Sequence, residues 1–294
     1  MKINKLGNIL LIIFVLLMII NVVSAEDNTL VGTENGKLMV NGNSDSALSL
    51  ADANDGAKLG ATNSYVTLKA GEVGNYTELQ SLIDANPNGV ITLGKNYAYS
   101  DGDSNWIQIS HSITINGNGY KISGENKKMS FYIPAGTGHV TLNNITFING
   151  KGNSMLWING NDCLINNCTF EHNNASKYGG AVRMSGYFNV INNSKFIDND
   201  ATQHGAAVYL GGYNNTITGS TFENSNVGAY GGAVCVIGHN LLINNSTFKR
   251  NKAQYGGAVY LAGYDNLVNG STFEYNHAMI SGAFYINGKN DILS

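Results

Sequence analysis

The chain has 294 residues, 43% of them apolar and 13% charged, with 17 basic and 20 acidic side chains for a net charge of −3. That mildly acidic balance argues against nucleic acid and anionic membrane surfaces as partners. Its three cysteines, Cys163, Cys168 and Cys235, are an odd number for a disulfide framework and lack the spacing of a metal site, so free thiols and no cofactor are expected.

Residues 1–25 read as a secretory signal peptide, with an uncleaved N-terminal anchor as the alternative. Lys2 and Lys5 give a positive start, Ile9 to Ile20 is an unbroken apolar run of twelve, and Val23-Ser24-Ala25 is a small-residue cleavage site. Twelve residues fall short of the roughly 20 that span a bilayer. Cleavage would leave 294 − 25 = 269 residues with 17 − 2 = 15 basic and 20 acidic side chains, a net charge of −5. No second apolar run is long enough to cross a membrane, so no insertion is expected after cleavage. Localisation is therefore expected to be secreted or cell-surface. Residues 26–74 are rich in Asn, Asp, Gly, Ser and Ala and read as a polar leader or linker. Its one alternating piece, Tyr65-Val-Thr-Leu68, could pair with a first rung.

Residues 75–294 carry the fold. A helix is expected over 77–86, with Thr77 and Gln80 as a capping box, Leu79, Leu82 and Ile83 as its apolar face, and Pro87 as its stop. An open solenoid end exposes core and strand edges, and this helix is placed to cover one. Short strands follow at Val90 to Leu93, Ile107 to Ile109, Ile113 to Ile115 and Phe131 to Ile133.

Regular repeats fill 140–290. They read Leu-Ile-Asn-Asn-Cys-Thr-Phe170, Val-Ile-Asn-Asn-Ser-Lys-Phe196, Thr-Ile-Thr-Gly-Ser-Thr-Phe222, Leu-Ile-Asn-Asn-Ser-Thr-Phe248 and Leu-Val-Asn-Gly-Ser-Thr-Phe273, after a looser copy ending at Phe147. The intervals between these phenylalanines are 23, 26, 26, 26 and 25 residues. Each is followed by a small-residue block such as Gly179-Gly180-Ala181 or Gly231-Gly232-Ala233. A fixed period of this size marks a solenoid. Short β-favouring runs between Asn and Gly corners make each period a rung of a parallel β-helix. About eight rungs, stacked at about 4.8 Å, would give a rod roughly 35–40 Å long.

The GGA blocks and the F-x-x-N motifs (Phe170 to Asn173, Phe196 to Asn199, Phe248 to Asn251, Phe273 to Asn276) resemble the repeats of adhesin-like surface proteins of methanogenic archaea. They are also similar to those of chlamydial polymorphic outer-membrane proteins. The upstream Ile113-Thr-Ile-Asn-Gly-Asn-Gly-Tyr120 resembles the entry rung of the archaeal group, so the resemblance covers about 76–290. Ser225 and Ser281 depart from the motifs. The fold expected is an all-β, right-handed parallel β-helix with an N-terminal capping helix; the handedness is what the resemblance implies, and it agrees with the general preference of parallel crossovers. It also implies that relatives continue beyond this chain, so the rung opened by Asp291-Ile-Leu-Ser294 would present an open edge for edge-to-edge association.

The chemistry expected lies on an outward row of one strand per rung: Gln108, Tyr132, Trp157, Arg183, Tyr209, Cys235, Tyr260 and Tyr285. Five of these eight are aromatic, and rings with polar tips suit sugars. Tyr132, Trp157, Arg183, Tyr209, Tyr260 and Tyr285 are thus the glycan-binding candidates, with an extracellular polysaccharide or cell-surface glycan as the expected partner. Mutual stacking that merely shields the sheet is the plainer alternative. Parallel β-helices also host polysaccharide lyases and hydrolases. Arg183 and Arg250 have no tight Asp cluster beside them, and Glu171, His172, Asp198, Asp200 and Glu223 look like a solvated face. A non-catalytic adhesin is expected, with a degradative enzyme and a purely structural stalk as alternatives. Among the frequent Asn-x-Ser/Thr sequons, Asn75 and Asn174 read as loop acceptors.

Overall fold

Three-residue strands that alternate inward apolar with outward positions, separated by residues that accept left-handed backbone, leave the chain one way to bury its apolar side chains: it must coil and stack. The computed structural model describes residues 73–294, with the backbone of three further short strands, Thr33–Glu34, Lys37–Leu38 and Tyr65–Thr67. The expected signal peptide and most of the expected leader lie outside the described residues. The chain divides into two compact units, 1–60 and 61–294. In the first, Thr33–Glu34 and Lys37–Leu38 pair antiparallel. The second is an all-β parallel solenoid.

One turn of the solenoid runs Thr169–Glu171, Asn174–Ala175, Val182–Met184 and Val190–Asn192 before the next phenylalanine strand, Lys195–Ile197. Each strand pairs in parallel only with its counterparts one rung before and after, as Phe170 does with Phe147 and Phe196. Four sheets result: a phenylalanine sheet of nine strands, a short corner sheet of six, a tyrosine sheet of eight and an isoleucine sheet of ten. The turn count is about nine rather than the eight expected. The extra turn comes from the leader, where Tyr65–Thr67 pairs with Val90–Thr92 and Val73–Asn75 with Asn96–Ala98. These segments carry no repeat motif, because a first turn stacks on one neighbour only.

The corners explain the Asn and Gly content. Asn167, Asn193 and Asn245, with Gly219 and Gly270 in register, hold φ between 47° and 58°. A second corner follows the phenylalanine at His172, Asp198, Asn224 and Arg250, and a third lies at Asp162, Phe188, Asn214, Asn240 and Asp265. Each GGA block begins with a left-handed residue, a role Ser281 keeps at φ 60°.

Inward side chains form one continuous core. Val182, Met184, Val208, Val234 and Val259 from the tyrosine sheet are fully buried, as are Ile165, Ile191, Ile217 and Ile243, and Phe147, Phe170, Phe196, Phe222 and Phe248. Burying a side chain of this size contributes about 1.5–3 kcal/mol. Neighbouring phenylalanine rings from Phe147 to Phe273 stack at 4.6–4.9 Å, within 11° of parallel.

The helix spans Tyr76–Asp84, not 77–86. Its N-cap is Asn75, whose side chain accepts the Glu78 amide at 2.9 Å, and Thr77 lies inside the first turn. Asp103 accepts the Tyr76 and Thr77 amides at 3.1 Å, so a residue distant in sequence does what the expected capping box would have done. Gln80 is free for a different task. Its side chain accepts the Gln108 amide at 2.7 Å and donates to the Gln108 carbonyl at 2.9 Å, satisfying both backbone groups on the edge of the tyrosine sheet. Tyr76, Leu79 and Ile83 join the core. The helix therefore stands where that sheet's next strand would pair.

Candidate functional site

Strict register brings the six candidates into one row. Tyr132 pairs with Gln108 and Trp157, Arg183 with Trp157 and Tyr209, and Cys235 with Tyr209 and Tyr260, which in turn pairs with Tyr285. The row is not one open face, however. The segment entering each GGA block lays a second ring across it, and Tyr178, His204, Tyr230 and Tyr255 stack on one another at 5.0–5.2 Å. Tyr178 packs on Tyr209 at 4.9 Å and Tyr230 on Tyr260 at 4.7 Å. Tyr209 and Tyr260 are left only 9% exposed, and Cys235 between them is fully buried.

Burial shifts their chemistry. It pushes the Tyr209 phenol up to about 12, and it raises Tyr260 in spite of the hydrogen bond from Asn287. It also lowers His204, which favours a neutral imidazole in the roof. Cys235, although in the outward register, is closed over, and burial holds its proton well above the ordinary 9.0. Tyr285 is half-buried and stacks on Tyr260 at 5.5 Å. No saccharide ring can lie flat on Tyr209 or Tyr260 with the roof in place.

A second ladder, Tyr187, Tyr213, His239 and Tyr264, borders the far side of the tyrosine sheet, and its three tyrosines are each more than 40% exposed. The Tyr187 and Tyr213 rings are 5.3 Å apart and 5° from parallel, so their faces are turned to each other and their edges to solvent. Stacking on a sugar needs a free face, which this ladder does not offer between rungs.

The N-terminal half of the row differs because the roof begins only at Tyr178. Tyr132, Trp157 and Arg183 are half-buried there. Trp157 lies 5.1 Å from Tyr132 at a tilt of 53°, and its indole N–H donates to Asn159 at 2.9 Å. Trp106 meets Tyr132 edge-on at 6.0 Å and is 37% exposed. Reading by period missed Trp106, since it lies in a loop before the strand Ile107–Gln108. Its signal was rarity: the chain has only two tryptophans, Trp106 and Trp157, and both are here. Beside Trp106 an open depression of about 450 Å³ is lined by Gln80, Asp103, Ser104, Asn105 and Gln108.

The acidic residues weighed for catalysis sit elsewhere. Glu223 pairs with Arg250 at 2.7 Å. Asp198 lies 3.9 Å from His172, both well exposed. Burial raises the neighbouring Asp200. The expected acceptor Asn75 is occupied as a helix cap, and Asn174 lies in a paired strand rather than a loop. Among the described residues no helix is long and apolar enough to cross a membrane.

Comparison with known proteins agrees with this architecture. Residues 133–293 match the family described as right-handed beta helix region. No curated protein matches the sequence. Among solved structures, ORF18 of Geobacillus virus E2 is similar at 15% identity, over 75% of this chain and 60% of that one, with a TM-score of 0.37. At that score the likeness carries no argument about function, and the present chain spans only 60% of that protein's length.

Proposed function

Since this chain belongs to the right-handed β-helix family, we propose that it is a secreted or surface-displayed, adhesin-like protein that holds an extracellular glycan without cleaving it. The site is the unroofed half of the tyrosine sheet: Trp106, Tyr132 and Trp157, with Arg183 at its far end. The observation that carries the reading is the break in the aromatic roof. From Tyr178 onward the rings cover one another; before it, Tyr132 and Trp157 are half-buried with no second ring laid across them, and the exposed Trp106 lines a polar depression. Flat apolar faces with polar groups at their rim suit pyranose rings. The signal-like N-terminus and the resemblance to archaeal and chlamydial surface repeats support an extracellular setting.

The two tryptophans make the test direct, since every indole in the chain lies on the proposed site. Titration with oligosaccharides should shift intrinsic tryptophan emission, and the protein should be retained on the matching immobilised polysaccharide. A Trp106→Ala, Trp157→Ala double variant that keeps its β-sheet circular dichroism should lose retention by about tenfold or more, as expected for aromatic anchors. Unchanged emission and no retention across neutral and acidic polysaccharides would leave the structural stalk as the better account. New reducing ends in the polymer would show an enzyme instead.

A further inference from the structure

The break in the roof has a cause that can be counted. Gly152 pairs with Ala175, and Leu156 pairs with Val182. Between these shared points the earlier rung has three residues, 153–155, and the later rung six, 176–181, a difference of 6 − 3 = 3. The same three residues separate the interval of 23 from the intervals of 26. They are the residues that carry Tyr178 over the sheet, and where they are missing a hollow of about 50 Å³ opens between Ser154, Trp157, Lys177, Tyr178 and Arg183.

The hollow is cationic. The Arg183 guanidinium carbon lies 4.7 Å from the Trp157 ring centre, 5.4 Å from Tyr178 and 6.0 Å from Tyr209. Three rings fix its plane, yet none takes its hydrogen bonds. Neither Arg183 nor Lys177 is in a salt bridge among the described residues, and the buried Arg183 Nε has no hydrogen-bond partner. A buried donor without a partner is costly, and a guanidinium has five donors in a rigid fork. Stacking alone accounts for the position of the charge but leaves that fork empty. A planar or tetrahedral oxyanion has the acceptor geometry such a fork matches, and the exposed Lys177 ammonium adds a second positive charge at the lip.

We propose that this hollow is the subsite for an anionic substituent, a uronate carboxylate or a sulfate ester, on the glycan bound along Trp157 and Tyr132. The proposal rests on the glycan reading above and narrows it to acidic saccharides.

Two matched pairs test it on the full chain by tryptophan emission: polygalacturonate fragments against their carboxyl-reduced counterparts, and dextran sulfate against dextran. At least one charged member should bind about tenfold or more tightly than its neutral partner, and the pair that responds identifies the group. Arg183→Gln should abolish the preference. Lys177→Gln, a change at an exposed side chain, should weaken charged binding a few-fold. Affinity of the unaltered protein for the charged member should also fall as salt is raised, a measurement that does not depend on any variant folding. Equal binding within both pairs, or a flat salt response, overturns the anionic subsite while leaving the glycan site standing. Absence of binding by all four polymers and by the neutral panel overturns both.

Discussion

Each of the three thiols is shut away for a different local reason. Cys168 takes the place of Ser194 and its successors in an inward ladder, and its sulfur lies 3.4 Å from the Leu142 and Asn166 carbonyls. Cys163 lies 3.4 Å from the Asn161 carbonyl, and Cys235 is closed between Tyr209 and Tyr260. Burial pushes Cys163 up to about 11 and Cys168 to about 12 from the ordinary 9.0, with backbone hydrogen bonds opposing it only in part. In the unfolded chain these thiols lose their protons near pH 9, while the folded chain keeps them, so the native state binds more protons above that pH. Stability is then present in full below about pH 9 and falls as pH rises toward the folded values, with a limiting slope of about 1.4 kcal/mol per pH unit for each thiol. Urea midpoints should be level in the neutral range and decline above about pH 9. Cys168→Ser, which restores the residue used by the other rungs, should make that decline shallower. Thiol reagents should label none of the three cysteines in the native protein and all three in denaturant; rapid native labelling of Cys235 would show that the tyrosine roof opens.

At the scale of one repeat, the asparagine of F-x-x-N is a corner brace. Asn251 is fully buried; its amide donates to the Phe222 carbonyl and its oxygen accepts the Ser225 amide, each at 3.0 Å. Asn199 and Asn276 make the same bond to Phe170 and Phe248 at 2.9 Å. Ser225 is too short to do so, and its hydroxyl reaches only the Glu223 carbonyl at 3.5 Å. Ser225→Asn should therefore complete the ladder and raise stability by about 1 kcal/mol, read from the urea midpoint, whereas Asn251→Ala should lose about 2–4 kcal/mol by stranding two buried groups. A loss on Ser225→Asn would mean the corner has closed around serine. Much of this scale was legible in the sequence, because stacking like on like writes each structural position as a repeated letter. The core faces, the Asn corners and the Ser ladder all follow from that. What was not legible involves partners outside the period. Asp103 caps the helix from a loop, Gln80 seals a strand edge, and the first turn has only one neighbour to match. The ladder of Asn189, Asn215 and Asn266 was also overlooked: each accepts a backbone amide from the rung before, but Leu241 interrupts the pattern.

Over the whole solenoid, coupling runs only between adjacent rungs, and this bears directly on the site. The outward row was visible as a row, but its roof was not, since Tyr178 and Tyr230 fold over residues that lie in the following rung. The short interval of 23 was the visible sign of the gap. A solenoid can change one rung in this way and keep the rest, because its stability is approximately a sum of unit and nearest-neighbour terms. Phe222 tests that independence. Its ring is fully buried between Phe196 at 4.6 Å and Phe248 at 4.8 Å. Phe222→Ala should cost about 3–5 kcal/mol, because neighbouring rings held by their own strands cannot close the gap. Hydrogen exchange should then quicken in the strands Lys195–Ile197, Thr221–Glu223 and Thr247–Lys249. Protection around Ile113–Asn116 and the emission of Trp106 and Trp157, several rungs away, should stay as they were. Loss of protection throughout 73–294 would show one cooperative unit, in which the binding face could not vary apart from the stack that carries it.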